Sequence, residues 1–209
     1  MNKRVLIAVP TFENIKPDCF KSIYAQERVD GFDYLFDFVK GYDCAKARNM
    51  IAKEAIDENM DYVLMVDSDI QLPSDALKNL LSHDKDIVCG WYMRKRTTHD
   101  LAEVFTFGEN FTEANQYRSH DIKALNCDLI PIKGAGLGIV LIKTSYLKNT
   151  IAPWFKYVLY GDENPIPGVY NDEKVLSEDL YFCSEAMKRG VNVFLDPRVR
   201  GTHIYDIYR

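Results

Sequence analysis

The segment Tyr62-Val63-Leu64-Met65-Val66-Asp67-Ser68-Asp69 decides the fold class of this chain. A short apolar run without polar alternation is typical of a strand that is buried on both faces. This run ends abruptly in two carboxylates separated by one residue, and a chain that turns over there can direct both acids at one ligand. Carboxylate oxygens are hard donors that suit Mg²⁺ or Mn²⁺, so Asp67 and Asp69 are candidate metal ligands.

Strand and helix patterns alternate on both sides of this segment. Such alternation predicts a mostly parallel, Rossmann-like sheet flanked by helices. Because ligands bind at the carboxyl ends of strands in open α/β sheets, the residues that follow these ends predict one shared site. Strands are predicted over 5–9, 34–39, 61–66 and 86–92, and helices over 16–26, 43–58 and 75–82, the last with Ser74 as N-cap.

The second half of the chain has a different pattern. No repeat or linker-like composition separates it from the first half, so residues 1–209 are predicted to form a single domain. Its parts are a nucleotide-binding half over 1–93 and a substrate-binding half over 94–209. The predicted elements are irregular strands within 93–133, a strand over 137–143, a loop over 152–176, a helix over 177–189 ended by Gly190, and a strand over 191–195.

The composition is that of a globular enzyme. Of the 209 residues, 47% are hydrophobic and 27% are charged, and a net charge of −5 argues against nucleic acid as a partner. No apolar stretch approaches the 18 or so residues of a membrane span. The five cysteines are scattered without a CxxC pair, which favours a reducing compartment. We therefore expect a cytoplasmic protein without a membrane span.

Five stretches occur in an order that resembles a known enzyme family. They are VLIAVPTFEN, KARNMIAKEAIDENMDYVLMVDSDIQLPSDALKNLL, DIVCGWYMRK, GAGLGIVLIK and SEDLYFCSEAMKRG, and together they cover most of residues 4–203. The chain resembles the GT-A fold nucleotide-sugar glycosyltransferases, especially glycosyltransferase family 2. It departs from the common pattern after the second strand, where the usual Asp-rich turn is missing and residues 37–41 run almost straight into the next helix. The short chain is similar to a minimal catalytic core or a domain of a larger multidomain protein.

The resemblance implies a reaction and a metal. It implies a metal-dependent, inverting glycosyltransferase that moves a hexosyl or deoxyhexosyl group from a nucleoside diphosphate sugar, expected to be UDP-linked, to a hydroxyl of a glycan or other acceptor. The cofactor would be Mn²⁺ or Mg²⁺. Asp69 would bind it directly, Asp67 would reach the ribose or bind the metal through water, and His203 would complete the metal shell.

The resemblance also implies roles for residues around the metal. Asp179 would be the general base that takes the proton of the acceptor hydroxyl, with Glu178 beside it in the family's E-D motif. Small residues after 133 would let the sugar or the diphosphate approach the backbone. The residues implied to contact the nucleotide sugar are Pro10, Thr11, Phe12, Glu13, Asp37, Arg48, Asn49, Asp67, Ser68, Trp91, Gly134 and Ala135.

Simpler explanations stand beside each of these roles. Acids in the first turn of a helix are stabilised by its dipole, and a turn favours Asp for local hydrogen bonds. Trp91, Tyr92 and Trp154 could be core residues, and Arg94-Lys95-Arg96 a solvated face. Three other functional classes remain open: a non-catalytic nucleotide-sugar or glycan-binding module, a D-x-D phosphohydrolase, and a sugar-nucleotide pyrophosphorylase. The phosphohydrolase requires its acid on the first strand, and the pyrophosphorylase requires a glycine-rich amino-terminal loop that the sequence lacks.

Overall fold

The computed structural model describes residues 2–95, 100–107, 111, 115–159 and 175–204. In the first half, strands and helices alternate as the sequence predicts. Its elements are β1 (Lys3–Thr11), α1 (Pro17–Tyr24), β2 (Phe32–Lys40), α2 (Cys44–Asp57), β3 (Tyr62–Val66), β4 (Ile70–Gln71), α3 (Ala76–Ser82) and β5 (Ile87–Trp91).

The second half contributes short strands and three further helices. Its elements are β6 (Leu101–Phe105), β7 (Gln116–Arg118), α4 (Ser119–Lys123), β8 (Ile130–Ile132), β9 (Gly134–Ala135), β10 (Ile139–Lys143), α5 (Thr144–Lys148), β11 (Val158–Leu159), β12 (Val175–Leu176), α6 (Glu178–Lys188), β13 (Val193–Arg200) and β14 (Thr202–His203).

A seven-stranded sheet forms the centre of the molecule, in the order β2-β1-β3-β10-β5-β13-β8. The pairings make β2, β1, β3, β5 and β13 run in one direction, whereas β10 and β8 run in the other. The predicted fold class, a mixed but mostly parallel α/β sheet flanked by helices, is confirmed. Because β10, β13 and β8 come from the second half, both halves of the chain build this one sheet.

The register of the sheet brings the carboxyl ends of its first strands together. The β1 strand pairs with β2 from Lys3↔Phe32 to Thr11↔Lys40, and its centre pairs with β3. All five residues of β3 are buried, which explains why its sequence is apolar without alternation. The Asp67 amide then donates to the Gly138 carbonyl at 3.0 Å, so the turn after β3 is held against the chain that enters β10.

Local capping agrees with the sequence at some helix ends and not at others. The Asp43 side chain accepts a hydrogen bond from the Lys46 amide and caps α2, and Gly190 follows α6 with a φ of 76°. The prediction of Ser74 as an N-cap is wrong. The α3 helix begins at Ala76 with Asp75 at the N-cap position, and the Ser74 carbonyl accepts from the Glu27 amide instead.

Several short elements were not predicted. The ends of the expected loop over 152–176 form the paired strands β11 and β12, while residues 160–174 lie outside the described residues. The helix α4 lies where irregular strands were expected, and α5 lies where no element was predicted; each is five residues long. The β4–β14 pair joins the turn after β3 to the end of the described chain. Elements this short carry too few residues for a periodic pattern.

Two findings concern the cellular expectations. All five cysteines lie in the described ranges and are free thiols, and Cys19, Cys89 and Cys183 are buried. None of the helices in those ranges is both long and apolar enough to cross a lipid bilayer.

Candidate functional site

The turn after β3 carries the two acids of the D-x-D motif. The Ile70 amide donates to the Asp67 carbonyl at 3.0 Å, which closes the turn. The Asp69 carbonyl accepts from the Ile204 amide at 2.8 Å, and His203 pairs with Ile70 in the β14–β4 ladder. The backbone therefore brings His203 beside the D-x-D turn.

The α2 helix places Arg48 beneath this turn. Ala45, Ala47, Ala52 and Ala55 lie on the buried face of α2 and let the helix approach the sheet closely. Arg48 belongs to the same face, and its side chain is only 1% exposed. A guanidinium that is taken out of water requires anionic partners, because desolvation of an unpaired charge is costly.

Three carboxylates supply those partners. The Arg48 Nη2 donates to Asp67 Oδ1 at 2.7 Å, and Nη1 donates to Glu178 Oε1 at 3.1 Å and to Asp179 Oδ1 at 3.0 Å. We call Arg48, Asp67, Glu178 and Asp179 the Arg48 cluster. It joins the D-x-D turn to the first turn of α6, so the predicted metal side and the predicted base side of the site meet on one cation.

A backbone contact further fixes Asp179. Its Oδ2 accepts a hydrogen bond from the Leu137 amide at 3.2 Å, while Oδ1 is held by Arg48. The side chain remains 19% exposed, whereas that of Glu178 is 8% exposed. Of the two acids, Asp179 is therefore the one that a bound substrate can reach more easily.

Burial raises the pKa of two acids of the Arg48 cluster. Burial, followed by the charge of Asp179, raises the pKa of Glu178 to about 8 against the lowering effect of Arg48. Burial also raises the pKa of Asp67, and Arg48 opposes that shift. Because Asp179 is also the more exposed of the two acids, the geometry favours Asp179 over Glu178 as the general base.

The raised pKa of Glu178 predicts how stability depends on pH. Between its usual pKa and about 8 the folded state holds a proton that the unfolded state has lost, so this group's stabilising contribution falls as the pH rises. We expect Glu178→Gln to remove part of the fall in unfolding free energy between pH 5 and pH 8. Urea titrations of both proteins at these two pH values measure the difference. An unchanged pH slope in the variant would show that Glu178 does not titrate in this window.

The second acid of the motif has a different partner. Asp69 forms an ion pair with Lys95, and both side chains are partly exposed. The basic run over 94–96 was interpreted as a solvated face, and the exposed side chain of Lys95 agrees with that interpretation while it also pairs with Asp69. Arg94 lies 3.5 Å from Glu103, and Arg96 is outside the described residues. Lys95 thus adds a second cation at the D-x-D turn.

His203 is held in a definite orientation. Its Nδ1 lies 2.7 Å from the Met93 carbonyl oxygen, and its ring meets the edge of Tyr92 with centroids 4.8 Å apart. Because a carbonyl can only accept, Nδ1 carries the proton and Nε2 has the lone pair of the neutral ring. Burial lowers the pKa of His203, which favours that neutral form.

In the described part of the chain, no three His, Cys, Asp or Glu side chains are already grouped as metal ligands.

Comparison with protein families connects this geometry to an enzyme class. The family model of Anp1 matches residues 40–152, which is more than half of the chain. The chain belongs to the Anp1 family. This is a family of GT-A-like mannosyltransferases, so the expected class of glycosyltransferase is confirmed, whereas the narrower expectation of family 2 is not tested. The matched range includes Arg48 and the D-x-D turn, and it ends before Asp179 and His203.

Solved structures share the fold of this Anp1-family chain. The crystal structure of A197 from STIV is similar with a TM-score of 0.64 and 16% identity, over 97% of this chain and 86% of that one. GalNAc-T7 with UDP, GalNAc and Mn²⁺ is similar with a TM-score of 0.57 and 9% identity. The chain is covered completely by that match but spans only 45% of the GalNAc-T7 chain. A search of curated proteins returned no match.

The predicted nucleotide-binding segment at the end of β1 extends from the core to the surface. Pro10 and Thr11 are buried in the strand, and Ser68 lies partly buried across the D-x-D turn. Phe12 is 70% exposed and Glu13 is also exposed. This places an aromatic ring and a carboxylate at the strand ends in the Anp1-family chain, and their contact with a nucleotide stays a prediction.

The structure corrects the predictions for Trp91, Gly134 and Ala135. Trp91 is 1% exposed, and its Nε1 donates to the Pro197 carbonyl, so it packs in the core and does not present a face to a sugar. Gly134 and Ala135 are buried in β9. A Cβ on Gly134 would lie 3.2 Å from the Cys183 Cβ of α6. These small residues let α6 pack closely against β9. The close approach that the sequence predicted is therefore made by this helix and not by a ligand.

The roles predicted for Asn49 and Arg48 also change, whereas the contact of Asp37 with a nucleotide stays a prediction. Asn49 donates to the Phe155 carbonyl and accepts from the Trp154 and Phe155 amides, so it ties α2 to the segment before β11. Asp37 lies within β2 beside Glu54 of α2, where burial and Asp37 raise the pKa of Glu54 to about 7. Arg48 was expected to contact phosphate, but its buried guanidinium contacts carboxylates.

Tyr92, for which core packing was one interpretation, lies beside the D-x-D turn. Tyr92 is 5% exposed, and its hydroxyl accepts from the Gly138 amide at 3.1 Å. A Cβ on Gly138 would come within 2.8 Å of Asp67 Oδ2 and 2.9 Å of the Tyr92 ring. The glycine before β10 therefore admits two protein side chains. The glycine-rich segment predicted a close approach at this place. It was interpreted as the approach of a ligand, whereas Tyr92 occupies the space.

Proposed function

We propose that this chain is a metal-dependent, inverting glycosyltransferase that uses a nucleoside diphosphate sugar as donor. The observation that carries the proposal is the Arg48 cluster. It unites the D-x-D acid Asp67 and the acid pair Glu178 and Asp179 at the carboxyl ends of the strands, where open α/β sheets bind ligands. Membership of the Anp1 family and the GT-A fold support the same class.

The side chains at the D-x-D turn have the donor chemistry that a divalent cation takes, and the cation would compete with Arg48 for Asp67 and with Lys95 for Asp69. Asp67 and Asp69 offer carboxylate oxygens, and His203 offers an imidazole whose Nδ1–H is bound to a backbone carbonyl, an arrangement typical of histidine ligands. In this proposal these three residues hold Mn²⁺ or Mg²⁺. When bound, such an ion stabilises the negative charge that develops on the departing diphosphate. GalNAc-T7, which shares the fold, carries UDP and Mn²⁺ in its structure.

Asp179 would act on the acceptor. Its carboxylate takes the proton of an acceptor hydroxyl while that oxygen attacks the anomeric carbon of the donor. The bond from this carbon to the diphosphate oxygen breaks on the opposite face, so the configuration inverts. Arg48 and the Leu137 amide hold the two oxygens of Asp179, which limits its rotation and favours a productive orientation.

The donor nucleotide is the first point to test. We expect UDP with Mn²⁺ to raise the melting temperature by about 5–10 °C at a hundredfold excess over its Kd. Because the family is one of mannosyltransferases, GDP and the mannose-carrying donors of both nucleotides belong in the same screen. NAD with Mn²⁺ is the control and should give no shift. A shift with NAD alone, or none with any nucleoside diphosphate, would contradict the proposed site.

Turnover separates an enzyme from a binding module. A transferase releases nucleoside diphosphate from its donor in the presence of Mn²⁺, and a coupled assay detects that release. Binding without release, over a panel of donors and glycan acceptors, would favour the non-catalytic nucleotide-sugar or glycan-binding module.

A further inference from the structure

The Arg48 cluster contains a cation that neither contacts the donor nor transfers a proton in the proposed reaction. Arg48 lies on α2, and its guanidinium contacts acids from two other places in the chain: Asp67 after β3 and the pair that begins α6. Arg48 and Glu178 are 130 residues apart in sequence. A side chain that is 1% exposed has no surface left for a substrate phosphate, so its role must be exerted through these carboxylates.

The two terminal nitrogens of Arg48 bind acids on different sides of the cluster. Nη2 is directed at Asp67 on the metal side, and Nη1 is shared between Glu178 and Asp179 on the base side. Its Nε is buried and has no hydrogen-bond acceptor among the described residues. A buried donor without an acceptor costs free energy, so packing alone does not explain an arginine at this position.

We propose that Arg48 is a positioning residue that couples the D-x-D turn to the general base Asp179 by binding both carboxylates with one planar guanidinium. Asp67 and Asp179 have no hydrogen bond to each other, and each binds the guanidinium of Arg48. Nη1 and Nη2 of the guanidinium have a rigid relative geometry, so they set the separation of Asp179 and Asp67 as well as balancing their charge. The catalytic part of this inference rests on the proposed transferase function.

The coupling makes a prediction about stability that requires no substrate. In the wild-type protein, Asp67→Asn weakens a charge-assisted hydrogen bond to Arg48 and should lower the melting temperature. In an Arg48→Met background the same change removes a desolvated carboxylate from beside other acids, and it should raise the melting temperature. The sign of the Asp67→Asn effect therefore reverses when Arg48 is removed.

Four proteins test this reversal by thermal denaturation: wild type, Asp67→Asn, Arg48→Met and the double variant. Arg48→Met alone should lose about 10 °C in melting temperature, because it leaves buried acids without their cation. Lys53→Met is the matched control. It removes a cation from the same helix, where Lys53 pairs with exposed Asp57, and Asp67→Asn should lower the melting temperature there as in wild type. If Arg48→Met does not fold, the double variant should fold better. An effect of the same sign in both backgrounds would overturn the coupling.

Arg48→Lys distinguishes positioning from charge balance. Lysine keeps the charge but presents one ammonium, which cannot reproduce the two-sided contact of the guanidinium. We expect the melting temperature to recover most of the loss seen in Arg48→Met, while turnover stays at least tenfold below wild type. A purely structural role predicts that turnover recovers with stability, and that result would overturn positioning. If the wild-type protein transfers no sugar, the proposed function fails, while the reversal of sign still decides whether Arg48 couples the two acids.

Discussion

Asp179→Asn should lower the turnover of sugar transfer by about 10²–10⁴-fold, while the affinity for UDP with Mn²⁺ stays close to that of the wild-type protein. The amide has nearly the same shape as the carboxylate but cannot accept the proton of an acceptor hydroxyl. Nucleotide affinity should persist because Asp179 is not among the residues proposed to hold the cation or the nucleotide. Initial rates at saturating donor, with calorimetry of UDP binding, measure both quantities.

The control for this variant lies on the same helix. Glu185 is an acid of α6 whose side chain pairs with Lys188 and Arg189 at the surface, so Glu185→Gln should leave turnover unchanged. The loss of a hydrogen bond from Leu137 or Arg48 will also lower the stability of Asp179→Asn by about 1–3 kcal/mol. Rates must therefore be measured well below its melting temperature. Wild-type turnover in the variant would exclude Asp179 as the base.

Asp69→Ala should abolish the stimulation of turnover by Mn²⁺ and the thermal shift produced by UDP with Mn²⁺. In the proposed site Asp69 binds the cation directly, and removal of a ligand carboxylate leaves too few donors to hold it. The expected change in stability is small, about 1 kcal/mol or less, because the Asp69–Lys95 ion pair is partly exposed. This variant should therefore lose metal-dependent nucleotide binding while it keeps nearly all of its stability.

Asp57→Ala provides a matched comparison for Asp69→Ala. Asp57 is also an aspartate in a surface ion pair, with Lys53, and it lies at the far end of α2 from the site. It should retain metal-stimulated turnover and the full thermal shift. Retention of both properties by Asp69→Ala as well would remove the D-x-D turn from the metal site and with it the proposed role of the cation.

The elements with a sustained pattern could be predicted from the sequence. Nine residues of β1 and the buried run of β3 have no polar alternation, and α2 has helical spacing with Asp43 as its cap. The short elements could not be predicted, since β4, β9 and β14 are each two residues long. Such strands exist because a neighbour pairs with them.

Some site residues could be predicted and others could not, for a related reason. Asp67 and Asp69 were identified because carboxylates at a strand end have chemistry that local sequence displays, whereas the roles of Glu178 and Asp179 came from the resemblance to the family's E-D motif. Trp91 and Gly134 were misjudged because aromatic and small residues serve ligands and cores equally well. Only the burial of Trp91 and the contact of Gly134 with α6 distinguish the two uses.

The sequence by itself determined the order of strands and helices, the sheet class and the acids that follow the strand ends. These properties depend on neighbours within a few residues, so periodicity and capping express them. Only the tertiary structure decided that Arg48 binds carboxylates and not phosphate, that Lys95 meets Asp69, and that burial raises the pKa of Glu178. Each of these outcomes depends on burial and on charges brought together from distant parts of the chain, and local sequence carries no record of that distance or of the lost water.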